Sequence, residues 1–175
     1  MVPPTIEWQD GKLRIIDQTR LPGELVFHTI DDYRDLAEAI KALRIRGAPA
    51  IGIAGAFGVV LGMQNSTAST YEEFLAELDG VIRVLGNTRP TAVNLFWALE
   101  RMRQVVRDHP EEPIPRLKGR LLEEAHQILQ EDRHICRRIG ENGAQLLQDG
   151  WTVLTHCNAG SLATADYGTA LGIIY

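Results

Sequence analysis

Three short segments combine residue types that bind anions or polarise a reacting group. In Arg46-Gly47-Ala48-Pro49-Ala50-Ile51-Gly52, an arginine and a glycine lead straight into a helix with proline at its first position. Open backbone amides at such a helix start face any bound anion, and the guanidinium adds a full charge with a fork of donors. The same residues fit a solvated loop arginine followed by a stripe of small residues, Gly52, Gly55, Gly58 and Gly62, that lets a helix pack closely. Asn87-Thr88-Arg89-Pro90-Thr91 repeats the device, an arginine directly before a helix opened by proline. Two such starts in one small domain point to a single anion held from two sides, which makes a phosphate-bearing ligand the leading reading. The alternative is a surface arginine beside core residues Phe96, Trp97 and Leu99.

The third segment is Thr155-His156-Cys157-Asn158-Ala159-Gly160-Ser161. It places a thiol at the carboxyl end of an apolar strand and just ahead of a helix, the ligand position of open α/β sheets. A helix start there favours thiolate, and Asn158 and the loop amides can donate hydrogen bonds. An inert buried cysteine is the competing reading. Cys136, beside Ile135 in a helical stretch, reads as inert packing. His134 and Cys136 face different ways on that helix, and no metal-ligand spacing is present, so no metal is expected.

The elements that must position these groups follow from periodicity. Thr5–Trp8 and Lys12–Asp17 alternate around Asp10-Gly11, a hairpin signal, and Glu24–Ile30 reads as a third strand. Leu36, Ala37, Ile40 and Leu43 then share one helical face behind acidic Asp31 and Asp32. A second helix runs from Pro49 to about Met63, and a third follows a capping box in Ser69-Thr70-Tyr71-Glu72 and stops at Gly86. A fourth starts at Pro90 and runs towards Asp108. A fifth long stretch leads from the prolines at 110–115 to Asp149, with Gly140 and Gly143 expected to kink or interrupt it. Finally, Trp151–His156 reads as a buried strand and Ser161 as the N-cap of a further helix.

The expected class is therefore α/β. Small antiparallel strands plus a helical bundle fill residues 1–149, and residues 150–175 begin a Rossmann-like domain, its first strand and helix, that is incomplete in this chain. A lone parallel-type strand lacks a sheet to join. The expectation is a front portion that needs the downstream half of the fold.

With 18 basic and 23 acidic residues among 175, the chain carries a net charge of −5, so no basic face is available for nucleic acid or an anionic membrane. The uncharged run from Gly47 to Met63 is too short and too rich in glycine for a span and reads as a buried helix. Two cysteines exclude a disulfide framework and no signal peptide is visible, which points to the cytoplasm.

At the same three segments the sequence resembles the methylthioribose-1-phosphate isomerases, part of the wider family that includes the regulatory subunits of translation initiation factor two-B. The matching strings are Arg46 to Gly52, Arg89-Pro90-Thr91-Ala92-Val93-Asn94-Leu95 with Trp97, and Thr155 to Thr164 followed by Tyr167 to Gly172. The resemblance implies a cytoplasmic, homodimeric aldose–ketose isomerase of methionine salvage whose partner molecule is a sugar phosphate and which needs no cofactor. It implies Arg46, Gly47, Ala48 and Arg89 as substrate binders and Cys157 as the catalytic residue. It also implies that the proton-donating aspartate lies downstream, and Asp166 is not a candidate for that role. Ribose 1,5-bisphosphate isomerase and the non-catalytic initiation factor subunits remain the competing readings.

Overall fold

The Asp10-Gly11 pair turns the chain as its residue types demand, with φ of 48° and 77° at the two positions, the left-handed geometry of a two-residue hairpin. The computed structural model describes residues 4–175. β1 (Ile6–Gln9), β2 (Lys12–Ile16) and β3 (Phe27–Ile30) form an antiparallel sheet in that order, with Ile6 opposite Ile15 and Leu13 opposite Ile30. Alternation directs Ile6, Leu13, Ile15 and Ile30 into the core. β3 is shorter than expected from Glu24, because residues 24–26 make no ladder.

α1 (Tyr33–Lys41) is capped by the Asp32 side chain, which accepts the Arg34 amide at 2.8 Å. It ends in a left-handed residue, Leu43 at φ 63°, with the Leu43 amide donating to the Ile40 carbonyl and the Arg44 amide to the Ala39 carbonyl. Leu43 was expected on the buried helical face, but this closing turn rotates it outwards to 42% exposure.

α2 (Ala48–Met63) is the axis of the molecule. Every residue from Ala50 to Leu61 is buried, as a helix apolar on all sides must be, and α1, α3 (Tyr71–Gly86), α4 (Val93–Arg107) and α5 (Ile114–Ala144) all pack on it. Its glycines set the approaches of α1, α3 and α4. A Cβ on Gly55 would come within 2.6 Å of Leu95 of α4, and one on Gly62 within 2.6 Å of Val81 of α3. Trp8 of the sheet stacks on Phe57 of α2 at 5.2 Å. At its carboxyl end, Lys118 of α5 donates to the Gln64 and Ser66 carbonyls at 3.2 and 2.7 Å. Among the described residues no helix is long and apolar enough to cross a membrane.

Several expected boundaries move. The capping box is Thr70 with Glu73, one residue later than Ser69 with Glu72, and Ser69 reinforces it by donating to Glu73. α4 begins at Val93 rather than Pro90, because residues 89–92 form a turn closed by the Ala92 amide on the Arg89 carbonyl. α5 runs unbroken for 31 residues, about 46 Å. Gly140 and Gly143 do not interrupt it. They provide the flat surface on which Gly172 and Ile173 rest, the carbonyl oxygen of Gly172 lying 2.7 Å from where a Gly140 Cβ would sit. Residues 151–156 form no strand, since no ladder partner faces them among the described residues, and Leu154 is 97% exposed. The helix expected from Ser161 is replaced by two 3-10 turns, Ser161–Ala163 and Leu171–Ile173, with Gly160 rather than Ser161 in the capping place. The architecture is a mixed α/β one: a three-stranded antiparallel sheet and five α-helices among the described residues.

The glycines of the helices therefore divide into two kinds. Gly62→Val, driven into Val81, should lower unfolding free energy by about 1–3 kcal/mol or more. Gly80→Ala, inside α3 with open space around its Cβ position, should raise it by about 0.5–1 kcal/mol. Urea midpoints of the two variants check both signs.

Candidate functional site

The Arg46-Gly47-Ala48 turn follows the α1 closing turn with only Ile45, fully buried, as anchor between them. Gly47 has φ 100°, and a Cβ there would come within 2.4 Å of the Ala163 Cα and 2.7 Å of its carbonyl oxygen. Only glycine meets both demands. The turn opens α2 with Ala48 and Pro49 first, so the amides of Ala48 and Ala50 stay free of helix bonding, the Ile51 amide being the first to bond back, to the Gly47 carbonyl. Arg46 is exposed and makes no ion pair among the described residues. The turn thus offers an exposed guanidinium and two open amides, a chemistry able to receive an anion.

Arg89 is different. It is half-buried in the turn before α4, where Thr88 Oγ donates to the Leu85 carbonyl at 2.6 Å. Because Pro90 does not open the helix, Arg89 does not repeat the Arg46 device, and α4 has no side-chain cap at Ala92. Of the residues that could have been core here, Leu99 is buried, but Phe96 and Trp97 are 46% and 49% exposed, and Asn94 and Trp97 stand at the rim of a cavity. Together with Pro49, Asp132, Cys136 and Thr169 they help to line this space of about 250 Å³ between α2, α4, α5 and the C-terminal segment. Arg46, Arg89 and Cys157 lie outside that lining.

Cys157 is exposed and left-handed, with φ 69°. The three-residue 3-10 turn after it has too little dipole to act as a helix start, so the expected helix field at the thiol is absent. The segment is nevertheless held against the rest of the protein. Ala159 accepts the Thr169 and Leu171 amides, Thr5 Oγ donates to the Ser161 carbonyl at 2.8 Å, and Gly47 touches Ala163. The first and third motifs thus meet directly.

Three groups not anticipated from the sequence join the neighbourhood. The Asp132 carboxylate accepts the Ala165 amide at 2.7 Å, and burial, helped by the nearby Asp166 charge, pushes its pKa up. Asp17, only 4% exposed, and Gln18 tie the end of β2 to the loops on either side of the candidate site. Nothing in residue spacing marks them, since a polar residue ending a strand is commonplace. Asp166 is not in a helix, as it was expected to be. Its Oδ2 pairs with Arg133 at 3.1 Å, while its buried Oδ1 has no hydrogen-bond partner among the described residues.

The two thiols differ sharply. Cys136 is 1% exposed, and burial, followed by the charge of Asp132, pushes its thiol up to about 11. At pH 8 a disulfide reagent should therefore titrate Cys157 alone in the folded chain and both cysteines in denaturant. Equal native reactivity would remove the distinction.

Known proteins resemble this chain in sequence and in fold. Residues 44–175 match the model of the initiation factor 2 subunit family. Methylthioribose-1-phosphate isomerases of Geotalea uraniireducens and Geobacter sulfurreducens are each 55% identical over 170 residues, covering 97% of this chain and 49% of theirs. A 5-deoxyribose 1-phosphate isomerase of Bacillus thuringiensis is 50% identical over the same span. Among solved structures, 5-methylthioribose 1-phosphate isomerase of Pyrococcus horikoshii superposes with a TM-score of 0.93 at 43% identity, covering 99% of this chain and 48% of that one. Translation initiation factor eIF-2B, subunit delta, of A. fulgidus gives 0.86 at 43% identity, covering 98% and 49%. The chain spans about half the length of the curated relatives it matches. From the matched model, the relatives at 55% identity and the shared fold, the chain belongs to the initiation factor 2 subunit family.

Proposed function

We propose that this chain supplies the substrate-anchoring half of an aldose–ketose isomerase that converts 5-methylthioribose 1-phosphate into 5-methylthioribulose 1-phosphate in methionine salvage. The observation that carries the reading is 55% identity to methylthioribose-1-phosphate isomerases running through all three motif segments. The direct contact of Gly47 with Ala163 supports it, because the anion-binding turn and the cysteine segment then face one ligand. In this reading the enzyme is a cytoplasmic homodimer. The rest of the fold, which the relatives carry in their remaining length, adds the Rossmann-like sheet. The exposed apolar Trp151, Val153 and Leu154 support that part, since such residues suit a strand covered on both faces.

The chemistry follows from the substrate. A phosphate on the anomeric carbon blocks ordinary ring opening, so a general acid must assist cleavage of the ring C–O bond. Hydrogen then moves from C2 to C1, through an enediolate-like species or as a hydride, and the phosphate must stay fixed while it does so. Arg46 and the Ala48 and Ala50 amides hold phosphate oxygens, Arg89 contacts phosphate or sugar oxygens, and Cys157 polarises the reacting region. The general acid belongs to the remaining half, a placement consistent with the pairing of Asp166 to Arg133.

The test is an isomerase assay on the purified chain, alone and with the second half of the Geobacter sulfurreducens relative added. No turnover alone and turnover with the added half is the expected result. Turnover by the chain alone would place the acid within it, and sugar-phosphate binding without turnover in either sample would favour a non-catalytic binding module. In the complete enzyme, Cys157→Ala should lower kcat by roughly 10²-fold or more while Cys136→Ala has little effect. Arg89→Ala should raise KM by about tenfold or more. Competition with ribose 1,5-bisphosphate separates the two candidate substrates.

A further inference from the structure

The end of β2 reaches two loops at once. The Gln18 amide donates to the Arg44 carbonyl at 2.8 Å, and the Gln18 side-chain Nε2 donates to the Leu162 carbonyl at 2.7 Å. Arg44 stands two residues before Arg46, and Leu162 adjoins Ala163, the residue that touches Gly47. One residue thus bonds the segment that carries the anion-binding turn and the segment that follows Cys157.

Gln18 is itself held firmly. Its neighbour Asp17 is buried, and one carboxylate oxygen accepts the Thr19 amide at 3.0 Å and the Thr19 hydroxyl at 2.6 Å. The other oxygen lies 3.0 Å from His28 Nε2 and 3.7 Å from Arg44 Nε. The Asp17 amide is also used, donating to the Val26 carbonyl at 2.9 Å. Residues 17 and 18 therefore cannot follow one loop without the other, because their backbone is anchored to Val26 just before β3, to Arg44 and to the Thr19 turn.

We propose that Gln18 is a positioning residue that sets the separation between the Arg46–Ala48 turn and the Cys157–Ala163 segment. This rests on the reading that a sugar phosphate bridges those two segments. A ligand gripped at its phosphate by one loop and approached at its sugar by the other reacts only if the two are in register, and misplacement of about 1 Å is costly. The amide is suited to the task. Its side-chain partner, the Leu162 carbonyl, can only accept, so a donor of this reach is required, and a carboxylate in its place would set oxygen against oxygen, while the backbone bond to the Arg44 carbonyl stays in every variant.

The test uses Gln18→Met, which keeps the length and removes the donor, Gln18→Glu, which replaces the donor with an acceptor, and Gln18→Lys, which restores one. Hydrogen exchange is followed in peptides covering 44–48, 160–165 and, as a control, α3 at 71–86. In the Met and Glu variants exchange should quicken roughly fivefold in the 160–165 peptide and rise in 44–48, with α3 unchanged and the Lys variant close to the original chain. Affinity for 5-methylthioribose 1-phosphate should fall about tenfold in the Met variant while affinity for inorganic phosphate stays constant, since the anion alone needs one loop. Unchanged exchange in both variants would overturn the proposal, as would quickening spread equally into α3 or equal loss of both ligands. If the original chain binds no sugar phosphate, the functional reading fails, and the exchange result still decides whether Gln18 joins the loops.

Discussion

The molecule is organised by a helix with no polar side. α2 carries no charge and little surface, so four other helices and the sheet must cover it, and α1, α3 and α4 approach it at its glycines. This constraint decides where polar chemistry can occur. Along its length α2 admits none, so the free donors and the adjacent charge collect at its amino end, while its carboxyl end is satisfied by Lys118. The candidate site lies where the central helix must stop being apolar.

The covering helices are in turn aligned by ion pairs near the surface. Arg101 of α4 grips Glu124 and Glu131 of α5, with Arg101 Nη2 donating to Glu131 at 2.9 Å, and Arg103 of α4 bonds Asp79 of α3 at 2.8 Å. Single exposed pairs contribute little, but a guanidinium shared between two carboxylates of one helix fixes rotation as well as distance. That orientation matters at the cavity, because Trp97 lies one turn before Arg101 and its ring lies under the guanidinium at 5.5 Å. The acidic face of α5 and the aromatic start of α4 are therefore set by the same contact.

Much of this could be read from the residues. The Asp-Gly hairpin, the uncharged helix and its glycine stripe, and the glycine turn that opens that helix after Arg46 all rest on local chemistry, and local chemistry is what periodicity and turn residues report. The failures share a cause. Pro90 looks like a helix opener, yet the Arg89 carbonyl is taken by a turn, and Ser161 looks like a cap, yet the helix it would start does not form. In both places the outcome depends on what lies opposite in space. The apolar pattern of residues 151–156 describes a side-chain environment, whereas a strand also needs a neighbour's hydrogen bonds. Asp17, Gln18 and Asp132 were invisible for the same reason, since their partners lie between 2 and 144 residues away.

Those long separations have a consequence for how the protein comes into being. Thr5 and Ser161, joined by a hydrogen bond, are 156 residues apart. At ordinary ribosomal speeds the amino-terminal hairpin emerges roughly 8–30 s before its partner segment has been synthesised. During that interval the hairpin can settle on α2 and its neighbours, whose sequence lies close by, but the loop that meets Gly47 has not yet arrived. The bundle is thus available as a template while the site is still half-made, and bringing Ser161 to Thr5 closes a loop of 156 residues, a slow step by its length.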